Sequence, residues 1–393
     1  MQDLFTFGSV KFNLQKMRKW LFFTLTATVA LGHAYGQKEK EDLRIWISKS
    51  IDSVIKNFKV PGIAVGVVEH GRVVYKQGFG LSSLATRKAM TTETIFHTAS
   101  VTKTFVATAV MQLVEQGKVN LDSSVCKYVP YFHLKDLRYR NITIRQMLTH
   151  SSGLPDVEDY EWDKPQYDDK ALERYVRSIA VDTLLFNPGA QFSYSNMAYE
   201  ILGDLVSKVA HIPFEDYVNK YILTPLKMKN STLFFPDVDT ANLAAPYLFT
   251  DAGQVELSHF QPYNRTHAPS STLYSNVEDM AKWIIANLNR GNLNGQHILN
   301  NASYATLWNP FVSMGSLPPY GNAYVGLSWF QVKPGLIKYV LHSGYDKGYQ
   351  AFVALAPDQS AGIVLLANLS SYNYDLTSLG INILEHLLSK QTP

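Results

Sequence analysis

Ser100-Val101-Thr102-Lys103 places a hydroxyl and an amine three residues apart at the head of a strongly apolar segment containing Phe105, Val106, Val110, Leu113 and Val114. Residues three apart share a helix face, so the amine of Lys103 can lie beside the hydroxyl of Ser100. An apolar setting disfavours the ammonium form and leaves an amine able to take the serine proton as the oxygen attacks a carbonyl. The positive end of the helix dipole adds stabilisation for negative charge at that oxygen. Gly117 stands where a C-terminal cap would close the helix. Taken alone, the same four residues also fit an ordinary helix start in which Ser100 is only an N-cap.

Two further groups could complete such chemistry. Tyr194-Ser195-Asn196 follows the turn Asn187-Pro188-Gly189 and precedes a helical run from Met197 to Val209. In one reading Asn196 caps that helix and Tyr194 packs. In the other, Tyr194 is a phenolic acid or base whose pKa is lowered by a neighbouring ammonium, and Asn196 binds a substrate amide. His342-Ser343-Gly344 ends a predicted strand, Ile337 to Leu341, and leads into Tyr345. Gly344 would let a substrate backbone lie against the strand edge, and the Tyr345 and Ser100 N–H groups could form an oxyanion hole. A lone histidine at a strand end is usually structural. If His342 instead holds an anionic group, affinity for carboxylates should rise as pH falls through the imidazole range.

The elements that must position these residues are legible in outline. Leu43, Ile47, Ile51, Val54, Ile55 and Phe58 recur at helical spacing and stop before Pro61. Ile63 to Val68 and Val73 to Tyr75, joined through His70-Gly71, read as a hairpin. Ile337 to Leu341, Gln350 to Leu355 and Gly362 to Ala367 read as three more strands, followed by a helix from about Leu376 to Leu388. Between Thr94 and Trp329 the pattern is mainly helical, with long irregular loops at 156–169 and 236–270. The expected fold is therefore α+β: an antiparallel β-sheet flanked by helices with a mainly helical inserted region. The sheet part is expected at about 41–93 and 330–393 and the helical part at about 94–329, within one hydrolase domain spanning 37–393.

The order S-x-x-K, Y-x-N, H-x-G resembles the serine β-lactamase and penicillin-binding protein superfamily, in its class C β-lactamase-like, D,D-carboxypeptidase and D-aminopeptidase-like branch. Phe96 to Ser100, Thr143 to Pro155 and Phe352 to Pro357 are similar to that family too, and the likeness runs from about Ile51 to the C-terminus. Thr143 and Gln146 form a capping-box pattern and Gly153-Leu154-Pro155 a stop signal, so that stretch reads as scaffold. The resemblance implies that Ser100 attacks a carbonyl, Lys103 and Tyr194 move its proton, Asn196 holds the substrate amide, and His342, Ser343, Gly344 and Tyr345 dock the acyl part. Many β-lactamases of the superfamily carry a lysine where this chain has His342. That departure shifts the expectation toward hydrolysis of an amide or ester in a D-amino-acid-containing peptide or related substrate. A true β-lactamase and a catalytically weak sensor that binds peptides or lactams are the alternatives.

Composition excludes little else. Of 393 residues, 46% are hydrophobic and 18% charged, and a net charge of +3 without a basic run gives no field for nucleic acid. No H-E-x-x-H, G-x-S-x-G or phosphate-loop pattern occurs, so neither a metal nor another cofactor is expected, and the partner is a small-molecule or peptide substrate. Cys126 is the single cysteine, which leaves no internal disulfide, and it reads as a buried structural thiol. Lys16, Arg18 and Lys19 before the apolar run Trp20 to Leu31, then Ala34-Tyr35-Gly36, have the layout of a signal peptide over 1–36. The chain is expected to be exported, periplasmic or secreted, and to touch membrane only through that signal.

Overall fold

The chain is described by a computed structural model over residues 41–389, so the expected signal segment lies outside the described residues. Residues from Ile51 onward make one compact unit that contains the whole site; the described residues before it, 41–50, are helical. Helix α1 covers 41–58. β1 (Gly62–Glu69) and β2 (Arg72–Ser83) follow as the expected hairpin. His70 and Gly71 both have positive φ, 47° and 72°, as a two-residue turn between right-twisted strands requires.

β1 and β2 join the C-terminal strands in one nine-stranded sheet, antiparallel throughout. With β3 (Lys88–Ala89), β4 (Val312–Ser316), β5 (Asn322–Val325), β6 (Phe330–Val332), β7 (Tyr339–Asp346), β8 (Tyr349–Ala356) and β9 (Ala361–Ala367), the strand order is β4-β5-β6-β7-β8-β9-β1-β2-β3. Every residue of β8 and β9 is buried, which explains their unbroken apolar sequence. Helices cover this centre: α4 (Val277–Leu288) packs on β1 and β9, and α5 (Leu376–Ser389) on β8 and β9. The α+β class and the antiparallel sheet with flanking helices are thus as the sequence implied.

Two details differ from the sequence reading. The sheet takes two strands, β4 and β5, from 312–325, where a helical insertion was expected, and a third, β6, at 330–332, inside the expected sheet part but where no strand was marked; these strands are three to five residues long and β4 is largely exposed, so they carry little apolar signal. The strand expected to end at Leu341 instead begins at Tyr339 and runs to Asp346, so His342, Ser343 and Gly344 lie inside β7 rather than at its end. Pairing explains the extension. From Val340 to Asp346 the strand is registered against β8, and this ladder carries it through the weak strand formers Ser343 and Gly344.

The helical part is built around α2 (Thr102–Glu115), buried continuously from Thr102 to Leu113. A helix apolar on all sides belongs in a core, and α2 packs against α3 (Asn196–Ala210), with Phe105 stacked on Trp283 of α4 at 3.9 Å. It ends as expected at Gly117, φ 68°: the Gly117 and Lys118 amides donate back to the Val114 and Leu113 carbonyls. Cys126 is half-buried against this core and free.

Candidate active site

Ser100 sits two residues before α2 proper, in a short 3-10 segment, Ala99–Val101, that runs directly into it, and it caps nothing: neither that segment nor α2 has a side-chain N-cap bond. Ala99 turns the chain with φ 47°, a left-handed conformation that costs a side-chain-bearing residue about 1 kcal/mol or more. The bend is held on both sides. The Thr98 amide and hydroxyl both donate to the Leu273 carbonyl, at 2.8 and 2.9 Å, and Thr102 Oγ1 donates to the Ala99 carbonyl at 2.7 Å. Ser100 is therefore presented at a kink fixed from outside the helix, with its hydroxyl lining a cleft of about 440 Å³.

Lys103, in the first turn of α2, is fully buried. Its Nζ lies 3.0 Å from Ser100 Oγ and donates to the Ser270 carbonyl at 2.7 Å. No carboxylate lies within ion-pair distance of it among the described residues; Glu200, Asp156 and Asp346 act on it only from farther off. Burial outweighs their pull and brings its pKa down to about 7. At neutral pH a large fraction of the amine is free to accept a proton.

Tyr194 faces the same amine, with Lys103 Nζ 5.1 Å from its ring centre. Burial pushes the phenol well above its ordinary range, while a hydrogen bond with the Ser100 side chain acts the other way without offsetting it. The expectation that a neighbouring ammonium lowers this pKa is corrected: Lys103 is itself too desolvated to hold a full charge there, and Tyr194 rests as a neutral phenol. Ser195, not Asn196, caps α3, accepting from the Ala198 amide at 3.1 Å. Asn196 is thereby released from capping. Its amide and Nδ2 both donate to Asp156 Oδ1, at 2.7 and 2.9 Å, which leaves Oδ1 buried and without a partner.

β7 supplies the opposite wall. It is paired with β6 only as far as Leu341, so from His342 to Asp346 it has a ladder on the β8 side alone. Gly344 faces the serine turn: a Cβ there would lie 2.3 Å from the Thr98 carbonyl and 3.1 Å from the Ser100 amide nitrogen. Its missing side chain therefore lets β7 touch the nucleophile turn, a role beyond the substrate approach expected of it. His342 is fully buried, its Nδ1 is 2.7 Å from the Ser343 carbonyl, and its Nε2 has no partner. Burial, with Lys103 nearby, holds its pKa at about 3. The expected gain in carboxylate affinity across the imidazole range therefore has no charged histidine to produce it. Ser343 and Tyr345 also line the cleft, with the Tyr345 ring stacked on Tyr372 at 4.5 Å.

All eight residues singled out in the sequence, Ser100, Lys103, Tyr194, Asn196, His342, Ser343, Gly344 and Tyr345, thus meet around one cleft. The arrangement can move a proton from Ser100 to Lys103 while a carbonyl sits between the serine turn and β7.

The chain matches the Beta-lactamase family over residues 49–388. It belongs to that family. Its fold is the serine hydrolase fold of β-lactamases and penicillin-binding proteins. Among solved structures it is similar to the octameric penicillin-binding protein homologue from Pyrococcus abyssi, with 28% identity, a TM-score of 0.75, and coverage of 89% of this chain and 77% of that one. Among curated proteins it is 29% identical over 328 residues to Protein flp of Staphylococcus aureus strain MW2 and 24% identical over 355 residues to a beta-lactamase of Escherichia coli K12. Each alignment covers 82% of this chain, but only 63% of Protein flp against 88% of the beta-lactamase.

Several residues of this Beta-lactamase family site escaped the sequence reading. His150, within the stretch read as scaffold, stacks on Tyr194 at 4.2 Å, and its Nδ1 accepts from the Ser195 amide. The capping box just before it is present in both halves, as expected. Glu200 lies buried behind the site, its Oε1 3.0 Å from His267 Nδ1 and accepting from Ser270 Oγ at 2.5 Å. It thereby fixes the segment whose carbonyl holds Lys103. Asp156, on Asn196, and Asp346, in the cleft wall, complete the set. No local pattern marks any of these four.

Proposed function

We propose that the chain is an exported serine hydrolase that forms an acyl-enzyme on Ser100 and hydrolyses an amide or ester bond, with D-amino-acid-containing peptides or related compounds as substrates. The observation that carries this reading is the 3.0 Å contact between Ser100 Oγ and an uncharged-leaning, fully buried Lys103 amine. Ser100 Oγ attacks the carbonyl carbon as its proton passes to Lys103 Nζ. The amide groups of Ser100 and Tyr345 receive the developing oxyanion. Tyr194 donates its proton to the departing nitrogen or oxygen and recovers one from Lys103, and the C–N or C–O bond breaks. A water then adds to the acyl-enzyme, with its proton taken back through the same pair, and releases the acid and Ser100. Asn196 and the unpaired stretch of β7 hold the substrate. No cofactor enters these steps.

The β-lactamase alternative is disfavoured by the charge of the cleft: with His342 neutral, no fixed cation among the described residues lines it to hold the carboxylate of a penicillin. Export rests on the charge and apolar pattern of 16–36 alone.

A pH profile tests the proton-transfer part. Because Lys103 must be unprotonated to act, kcat/KM should rise with pH through about 7 and then level, with no descending limb until well above the range of a free phenol, since Tyr194 stays protonated. A profile flat between pH 5 and 9 would remove Lys103 as the base.

A further inference from the structure

The cleft contains an acid that the proposed chemistry does not use. Asp346 shares a face of β7 with His342 and Gly344, two residues beyond Gly344, or roughly 7 Å along the strand. Its carboxylate is held in place by three neutral donors: the Trp162 indole N–H at 3.1 Å, the Ser271 hydroxyl at 2.9 Å and the Lys347 amide at 2.8 Å. It forms no ion pair among the described residues, and one donor on Oδ2 leaves acceptor capacity there. Burial raises its pKa while the Lys103 amine, beyond ion-pair distance, pulls the other way, so a cation brought into contact would stabilise the ionised form.

Two independent observations point the same way. Across the cleft, Asn196 Oδ1 is a second acceptor without a partner, on a residue 7% exposed, and its orientation is set because Nδ2 is spent on Asp156. Beside the cleft, the segment 156–164, whose Tyr160 lines it, carries five exposed acids, Asp156, Glu158, Asp159, Glu161 and Asp163, against one exposed lysine, Lys164. Such a rim draws cations and repels anions before contact. Among the described residues no arginine lines the cleft and His342 is neutral, so acceptors outnumber charged donors there.

We propose that Asp346 and Asn196 Oδ1 form a subsite for a protonated amine on the substrate, within a few bonds of the scissile carbonyl, so that this enzyme selects amides or esters carrying a free ammonium group. The subsite rests on the functional reading above for the position of the reacting carbonyl. The aromatic walls, Tyr160, Phe330 and the Tyr345–Tyr372 stack, would cover an apolar side chain beside that amine.

Binding to Ser100→Ala protein, which cannot turn substrate over, isolates the subsite from catalysis. D-phenylalanine amide should bind about tenfold or more tighter than N-acetyl-D-phenylalanine amide, the margin of a charged hydrogen bond. A second substitution, Asp346→Asn, should erase that difference while leaving the melting temperature close to that of Ser100→Ala alone. Equal affinities for the two amides, or a preference that persists in Asp346→Asn, would overturn the subsite. Modification of Ser100 by a fluorophosphonate in the otherwise unaltered enzyme reports the hydrolase reading separately. Labelled Ser100 without amine discrimination removes the subsite alone, whereas discrimination without labelling supports the subsite and removes the reaction.

Discussion

Lys103→Ala should lower kcat/KM by about 10³-fold or more on any amide or ester the enzyme accepts, with KM nearly unchanged. The size follows from position. Lys103 Nζ is the amine hydrogen-bonded to Ser100 Oγ, and burial has already brought it to the pKa range in which a base works at neutral pH. Truncation also empties a buried volume and strips the Ser270 carbonyl of its donor, so lost activity alone would not separate chemistry from packing. Lys103→Met keeps the apolar stem and removes only the amine. It should be as inactive as Lys103→Ala, while its thermal unfolding stays closer to that of the parent. Any residual rate in either variant should lose the rise in kcat/KM near pH 7. A Lys103→Met enzyme retaining a tenth of the parent activity would show that the amine is not the base.

Tyr194→Phe should cost about 10²- to 10⁴-fold in kcat/KM on an amide. Because burial keeps the phenol protonated, its task in the proposed sequence is donation to the leaving group. An amide nitrogen must be protonated to leave, whereas a nitrophenolate leaves unaided. The loss should therefore be at least about ten times smaller on a nitrophenyl ester of the same acyl group. Stacking of His150 on Tyr194 and the cap at Ser195 fix the ring independently of its hydroxyl, so the phenylalanine should occupy the same place. Equal losses on amide and ester would assign Tyr194 to the attack step instead.

The residues that carry motifs were legible because each motif is local. Ser100 and Lys103 are only three positions apart, and a helix start and a strand can be read from their own sequence. The groups that tune the site were not legible, since they come from far along the chain: Trp162 meets Asp346 across 184 positions, and Lys103 meets Ser270 across 167. Electrostatics failed for the same reason. Whether an ammonium lowers the pKa of Tyr194 or burial raises it depends on how deep both groups lie, and depth is set by the tertiary packing of α2, α3 and β7. Strands β4 to β6 were missed because strands of three to five residues, one bearing Gly315, lack the apolar run that marked β8 and β9. The packing of Gly344 against the serine turn was not legible because the sequence does not reveal that Thr98 and Ser100 lie against it.

Covalent labelling at Ser100 tests the central claim most directly. An alkyl fluorophosphonate exchanges its P–F bond for a bond to a serine oxygen, so the folded enzyme should gain the mass of one phosphonyl group, located by peptide mapping on Ser100. Ser100→Ala should gain none, and Lys103→Met should label far more slowly than the parent. Substitution of Ser151 or Ser152, buried in the loop after His150, should leave the adduct on Ser100. An adduct that persists in Ser100→Ala, or that maps to another residue of the parent enzyme, would contradict Ser100 as the nucleophile and leave only the fold.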